Sequence, residues 1–142
     1  MTSPASSDLN RFLVAQARNY DDAAREIAAG QKVTHWMWYV FPQLRGLGRS
    51  NFAQLYGLDG LTEAITYLKH PVLGPRLLHM CALMLAHSGT PADRILGGVD
   101  AMKLQSCATL FAAIPNAPPV FADVLEAFYA GQPCTKTLAL LT

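Results

Sequence analysis

Apolar residues recur along this chain with the 3.6-residue period of amphipathic α-helices. The clearest example covers residues 8–30, where Ser7 is the expected N-cap and Gly30 the expected end of the helix. Its apolar face is formed by Leu9, Phe12, Leu13, Tyr20, Ala23, Ala24 and Ile27. No alternation of polar and apolar residues is long enough to predict a sheet. The pattern therefore predicts an all-α fold.

Further helices are predicted where apolar periodicity begins after a capping residue or proline and ends before a glycine or proline. These helices cover residues 61–69, 71–87, 91–97, 100–113, 120–130 and 136–141. We expect a single compact domain of six or seven helices over residues 8–142, preceded by a loose tail at residues 1–7. The helix at 71–87 is apolar nearly all round, which predicts that it is the most buried element.

The composition favours a folded cytoplasmic protein. Of the 142 residues, 51% are hydrophobic and 15% are charged, which provides a core and excludes disorder. The longest apolar stretch, 77–86, is far too short for a membrane span, and the N-terminus lacks the order of a secretory signal. The three cysteines are widely spaced, so we expect reduced thiols and neither a disulfide nor a zinc site. The scarcity of charge favours a homodimer.

Residues 31–56 differ from the rest of the chain in aromatic content and charge. They contain six of the thirteen aromatic residues, including both tryptophans, and no carboxylate occurs between Glu26 and Asp59. Residues 27–92 carry five lysines and arginines against two acids, whereas the formal net charge of the whole chain is +1. That small net charge argues against nucleic-acid binding. The basic, aromatic middle instead suggests a site for a small anion.

The loop at residues 45–50, with the sequence RGLGRS, is the strongest candidate for that site. Its two glycines permit unusual backbone torsions, and Ser50 is placed to cap a helix over residues 51–55. Free backbone N–H groups at a helix start attract anions, and arginine binds phosphate or carboxylate through two parallel hydrogen bonds. We expect Arg45 to be the principal contact, with a tryptophan ring stacked on the ligand.

The sequence thus predicts binding of a small anionic or nucleotide-like ligand around residues 35–50. The expected ligand-binding residues are Trp36, Trp38, Gln43, Arg45, Gly46, Gly48, Arg49, Ser50, Arg76, Lys103 and Ser106. His35 is the candidate for proton transfer, which leaves catalysis open. No metal site and no cofactor are expected. Two alternatives remain: a tight turn with solvated arginines and buried tryptophans, or a helical homodimeric interaction module without catalysis.

Three segments of the chain are distinctive in combination: HWMWYVFPQLRGLG at residues 35–48, HPVLGPRL at 70–77, and KLQS at 103–106 followed by TLF at 109–111. Together they closely resemble the bacterial domain-of-unknown-function family numbered 1810, sometimes labelled calpastatin-like. The resemblance covers about residues 8–141 and implies a small, single-domain, all-helical protein. It implies no catalytic residues. The calpastatin label finds no support, because a helical, apolar chain is unlike a disordered protease inhibitor.

Overall fold

The computed structural model describes residues 8–141 and confirms the all-α fold. The predicted loose tail, residues 1–7, lies outside the described residues. Within the described range there are nine helices and no strand: α1 (Asn10–Ala28), α2 (Met37–Val40), α3 (Asn51–Tyr56), α4 (Leu61–Lys69), α5 (Leu73–Leu85), α6 (Ala92–Leu96), α7 (Gly98–Ala112), α8 (Val120–Tyr129) and α9 (Thr135–Leu141). The described residues thus form more helices than the six or seven predicted. The additional ones are short, such as α2, whose four residues are too few to show the 3.6-residue helical period.

The core is organised around α7, which packs against α4, α6, α8 and α9. Every residue from 106 to 111 in this helix is buried, and the Phe111 ring stacks on the Phe121 ring of α8 at 5.3 Å between centroids. The prediction that the 71–87 helix is the most buried element is therefore wrong. In α5, six of the thirteen residues are buried and Leu83 is half-buried.

The reason lies in the two hydroxyl residues of α7, which lower its apparent hydrophobicity. The Ser106 hydroxyl bonds to the Met102 carbonyl at 3.1 Å, and the Thr109 hydroxyl bonds to the Gln105 carbonyl at 2.8 Å. Back-bonding to the preceding turn satisfies a hydroxyl inside a helix, so both residues are buried without an unmet hydrogen bond. Burial is set here by the four neighbouring helices rather than by composition.

A carboxylate from α1 anchors the segment that leads into α2. Glu26 Oε1 accepts hydrogen bonds from the backbone N–H of Val33 and Thr34 and from Trp36 Nε1, at 2.7, 2.9 and 2.9 Å. Its Oε2 accepts the Thr34 hydroxyl at 2.6 Å. Burial raises the pKa of Glu26, but these hydrogen bonds outweigh it and hold the pKa at about 2. They fix Trp36, which is wholly buried, in the core.

A short backbone pairing fixes the start of the 45–50 loop. Leu44 and Leu58 form an isolated parallel bridge, in which Arg45 N donates to Leu58 O at 2.8 Å and Leu58 N donates to Gln43 O at 2.9 Å. Gly57 permits this approach, since a Cβ atom there would lie 2.6 Å from Arg45 Cα. Among the described residues, no helix is both long and apolar enough to cross a bilayer.

Candidate functional site

A cleft of about 500 Å³ lies where the segment around residues 38–53, the first half of α7 and the turn before α9 meet. We call it the cationic cleft. Its apolar wall is formed by Trp38, Leu47, Ala53, Val99, Met102 and Pro133. Its polar wall is formed by Gln43, Ser50, Gln105, Ser106, Cys134 and Thr135. Its volume falls in the range of pockets that hold small molecules, about 300–1,000 Å³.

Three positively charged side chains line the cationic cleft: Arg49, Lys103 and Lys136. No described residue that lines it is a carboxylate. Arg49 and Lys136 are exposed, and neither forms an ion pair within residues 8–141. Lys103 is partly compensated by Asp100, whose Oδ1 lies 3.3 Å from its Nζ. Unpaired like charges in a concave site concentrate field lines and attract counter-ions. The cleft is therefore electrostatically suited to an anion.

Trp38 and Lys103 form the wall on the α7 side. The Lys103 ammonium lies 3.9 Å from the centroid of the Trp38 ring, within the range of a cation–π contact. The Phe52 ring meets the Trp38 ring edge-on at 5.3 Å. Lys103 Nζ also lies 3.3 Å from Asp100 Oδ1, one turn earlier in α7. These contacts place both side chains at the edge of the cleft.

Local backbone geometry places the loop residues as the sequence suggested. Gly46 has φ +105°, in the region that favours glycine. A Cβ atom on Gly48 would lie 2.9 Å from Ala53 Cβ, so this glycine permits the loop to fold tightly against α3. Ser50 caps α3, its hydroxyl accepting the Ala53 N–H at 3.1 Å. The turn directs Arg49 toward the cleft.

A thiol and a hydroxyl meet on the wall opposite the loop. Ser106 Oγ lies 3.4 Å from Cys134 Sγ, and its one proton can go to this sulfur as the alternative to the Met102 carbonyl. Cys134 N donates to the Thr109 hydroxyl at 2.8 Å. Burial raises the pKa of Cys134, but hydrogen bonds from Ser106 and from the backbone N–H of Thr137 and Lys136 bring it below the ordinary value. The direction of this shift favours the more nucleophilic form of the Cys134 thiol.

Seven predicted residues come together at the cationic cleft: Trp38, Gln43, Gly48, Arg49, Ser50, Lys103 and Ser106. Sequence reasoning missed Lys136, together with Cys134, Thr135 and Met102. Thr135 caps the predicted last helix, so the sequence did indicate a turn just before it. Nothing in the sequence links this turn to the 45–50 loop, because tertiary packing, including that of α9 against α7, brings them together.

Five predicted residues lie outside the cleft: His35, Trp36, Arg45, Gly46 and Arg76. His35 and Gly46 are exposed, and Trp36 belongs to the core. The Arg76 guanidinium lies 4.8 Å from the centroid of the Tyr20 ring, and its NH1 lies 3.4 Å from Gln16 Oε1.

Arg45, the expected principal contact, is paired with Asp59 and donates its Nε–H to Gln54 O at 2.8 Å. The loop therefore presents Arg49, and not Arg45, to the cleft. Across the described part of the chain, no group of three histidine, cysteine or acidic side chains is arranged to hold a metal ion.

Comparison with known proteins identifies the family. The model of the family "Protein of unknown function (DUF1810)" matches residues 6–141. Among solved structures, the chain is similar to the conserved hypothetical protein Rv1873 from Mycobacterium tuberculosis, whose crystal structure was determined at 1.38 Å. The two are 45% identical, the match covers 95% of this chain and 96% of that one, and the TM-score is 0.93. No curated protein matches. The chain belongs to the DUF1810 family of proteins of unknown function.

Proposed function

We propose that this protein binds a small anionic ligand with an apolar or aromatic body in the cationic cleft. The observation that carries the proposal is the charge of the lining: three cationic side chains and, among the described residues, no carboxylate. The apolar wall adds a surface for the ligand body, and burial of apolar area contributes roughly 25 cal/mol per Å². A mononucleotide or a phosphorylated or carboxylated aromatic compound combines these features.

Arg49 and Lys136 are the principal anion contacts in this proposal. Both are free of ion pairs within residues 8–141, so binding an anion breaks no existing salt bridge. Arg49 offers the planar fork that binds phosphate or carboxylate through two hydrogen bonds, and Lys136 adds a point charge. Each charge-assisted hydrogen bond contributes about 1.5–3 kcal/mol.

The proposal is one of binding rather than of a reaction. His35, the predicted proton-transfer residue, lies outside the cleft, and no histidine or carboxylate occurs among the described lining residues. The hydroxyl and thiol side chains there belong to Ser50, Ser106, Cys134 and Thr135. We propose that the protein acts in the cytoplasm, a compartment that keeps free cysteines such as its three reduced.

Titration calorimetry with inorganic phosphate, sulfate and adenosine monophosphate tests the proposal. We expect Arg49→Ala and Lys136→Ala each to weaken binding about 10- to 150-fold, as the loss of one charge-assisted hydrogen bond predicts. Arg94→Ala, which removes an exposed arginine of α6 outside the cleft, is the matched control. Absence of binding to the wild-type protein, or equal loss in the control, would refute the proposal.

We propose homodimerisation as a second function, on a separate observation. Val99 and Met102 of α7, three residues apart, are 69% and 68% exposed at the edge of the cleft. Exposed apolar patches are a feature of interaction surfaces. A partner chain would cover them. Light scattering at micromolar concentration tests this: a dimer that Met102→Asp dissociates supports it, and a monomeric wild-type protein contradicts it.

A further inference from the structure

One aspartate holds two lysines beside the cationic cleft. Lys32 Nζ lies 2.9 Å from Asp100 Oδ2, and Lys103 Nζ lies 3.3 Å from Asp100 Oδ1. Their side chains are largely buried, with 8% of Lys32 and 17% of each of the other two exposed. Lys103 lines the cleft, whereas Lys32 and Asp100 do not. Partly buried charges are screened less by salt than surface charges, so the charge of this triad acts on the cleft.

The triad carries one positive charge in excess, because two ammonium groups share one carboxylate. Lys32 is the nearer partner, and its distance is typical of a charge-assisted contact, about 2.7–2.9 Å. The contact of Lys103 is longer and weaker. If Lys103 turns toward an anion in the cleft, Asp100 keeps Lys32 as its counter-ion. The movement therefore leaves no buried carboxylate unpaired, which would be strongly unfavourable.

We infer that Lys32 is a positioning residue for anion binding: it neutralises Asp100 and so leaves the positive charge of Lys103 available to the cleft. The inference rests on the proposed anion binding and adds a determinant of its strength. Lys32 is suited to this role by its position. Its backbone N–H donates to Ile95 O at 2.7 Å, and its ammonium lies 5.1 Å from the centroid of the Trp36 ring. Both contacts fix it behind the cleft wall.

Lys32→Met removes the charge and keeps the length of the side chain. Asp100 then pairs with Lys103 alone, and the net charge of the three side chains falls from +1 to zero. We expect the Kd for inorganic phosphate, measured by calorimetry, to rise about three- to tenfold, as for one partly screened unit charge. Lys69→Met, which removes an exposed lysine at the end of α4, is the matched control and leaves the Kd unchanged. If the methionine variant does not fold, Lys32→Gln, which removes the same charge, takes its place in the experiment.

The double variant Lys32→Met/Asp100→Asn separates charge from structure. It returns the excess of one positive charge through Lys103 alone, so we expect the Kd to return to near the wild-type value. A purely structural role for Lys32 predicts that the Kd stays raised, because the double variant still lacks the Lys32–Asp100 ion pair and also loses the Lys103–Asp100 contact. A wild-type Kd in Lys32→Met, or a Kd that stays raised in the folded double variant, overturns the inference.

A measurement without ligand distinguishes this inference from the proposed function. Cys134 lines the cleft, so the ratio of its alkylation rates with anionic iodoacetate and neutral iodoacetamide reports the local potential. We expect the ratio to fall in Lys32→Met and to recover in the double variant. If that pattern holds but the wild-type protein binds no phosphate, the proposed function fails and the charge effect of Lys32 stands. An unchanged ratio in Lys32→Met overturns the role of Lys32 in either case.

Discussion

Glu26 offers the sharpest test of the packing argument, because two substitutions separate its charge from its hydrogen bonds. Glu26→Gln removes the charge and keeps a carbonyl oxygen for the N–H donors of Val33, Thr34 and Trp36. Its NH2 group replaces the oxygen that accepts the Thr34 hydroxyl, and that hydroxyl can turn to accept from it. Glu26→Ala removes the acceptor and leaves the buried Trp36 Nε1 without a partner. We therefore expect the alanine variant to be the less stable of the two.

The magnitudes follow from the pKa of Glu26, which the fold lowers from 4.5 to about 2. At about 1.36 kcal/mol per unit the full shift corresponds to roughly 3 kcal/mol. Glu26 is half-exposed, and solvent screening reduces the effect of the charge to about 1 kcal/mol. Glu26→Gln should therefore lower the free energy of unfolding at pH 7 by about 1 kcal/mol. Glu26→Ala should cost about 2–4 kcal/mol, because an unsatisfied buried donor adds about 1–3 kcal/mol.

The pH dependence gives an independent check. Because the pKa of Glu26 is lower in the folded chain, its contribution to stability is fully present above pH 4.5 and is lost as the pH falls toward about 2. Urea denaturation across this interval should show the wild-type protein losing its advantage over Glu26→Gln. Glu126→Gln, at an exposed glutamate of α8, is the control. If Glu26→Gln matches the wild-type protein at pH 7 and pH 3, the charge argument is refuted.

Three further predictions concern the core, the loop and the thiols. Leu104→Ala should lower the free energy of unfolding, measured by chemical denaturation, by about 2–5 kcal/mol. Leu83→Ala, at a half-buried site, should lower it by about 1–2 kcal/mol. Equal losses would contradict the central place of α7. Gly57→Ala should cost about 1–3 kcal/mol because its Cβ would lie 2.6 Å from a backbone atom, whereas Gly60→Ala meets nothing within 4 Å and should be nearly neutral. Iodoacetamide at pH 8 should modify Cys134 at least about tenfold faster than Cys81 and Cys107, because burial raises the pKa values of those two thiols. Equal modification rates in mass-spectrometric mapping would disprove this.

The helices were predictable where long periodic segments meet clear boundary residues. The 61–69 helix matches α4, and the 8–30 helix contains α1 with two residues to spare at each end. The order of burial among helices was not predictable from composition. The apolar sequence of α5 suggested the core centre, whereas α7 occupies it with two hydroxyl residues satisfied inside the helix. A helix gains burial from the number of elements around it, and no single segment of sequence contains that information.

The candidate site was predictable only as far as local geometry determines it. Trp36 and Trp38 share one motif, yet residues two positions apart near a helix start point in different directions. Trp36 consequently enters the core against Glu26, while Trp38 turns to the cleft beneath Lys103. The same holds for the two arginines of the loop. The pairing of Leu44 with Leu58 brings Arg45 to Asp59 and leaves Arg49 as the loop cation that faces the cleft. Which of the two arginines lines the cleft depends on a long-range backbone contact, so the motif specifies the segment but not the residue.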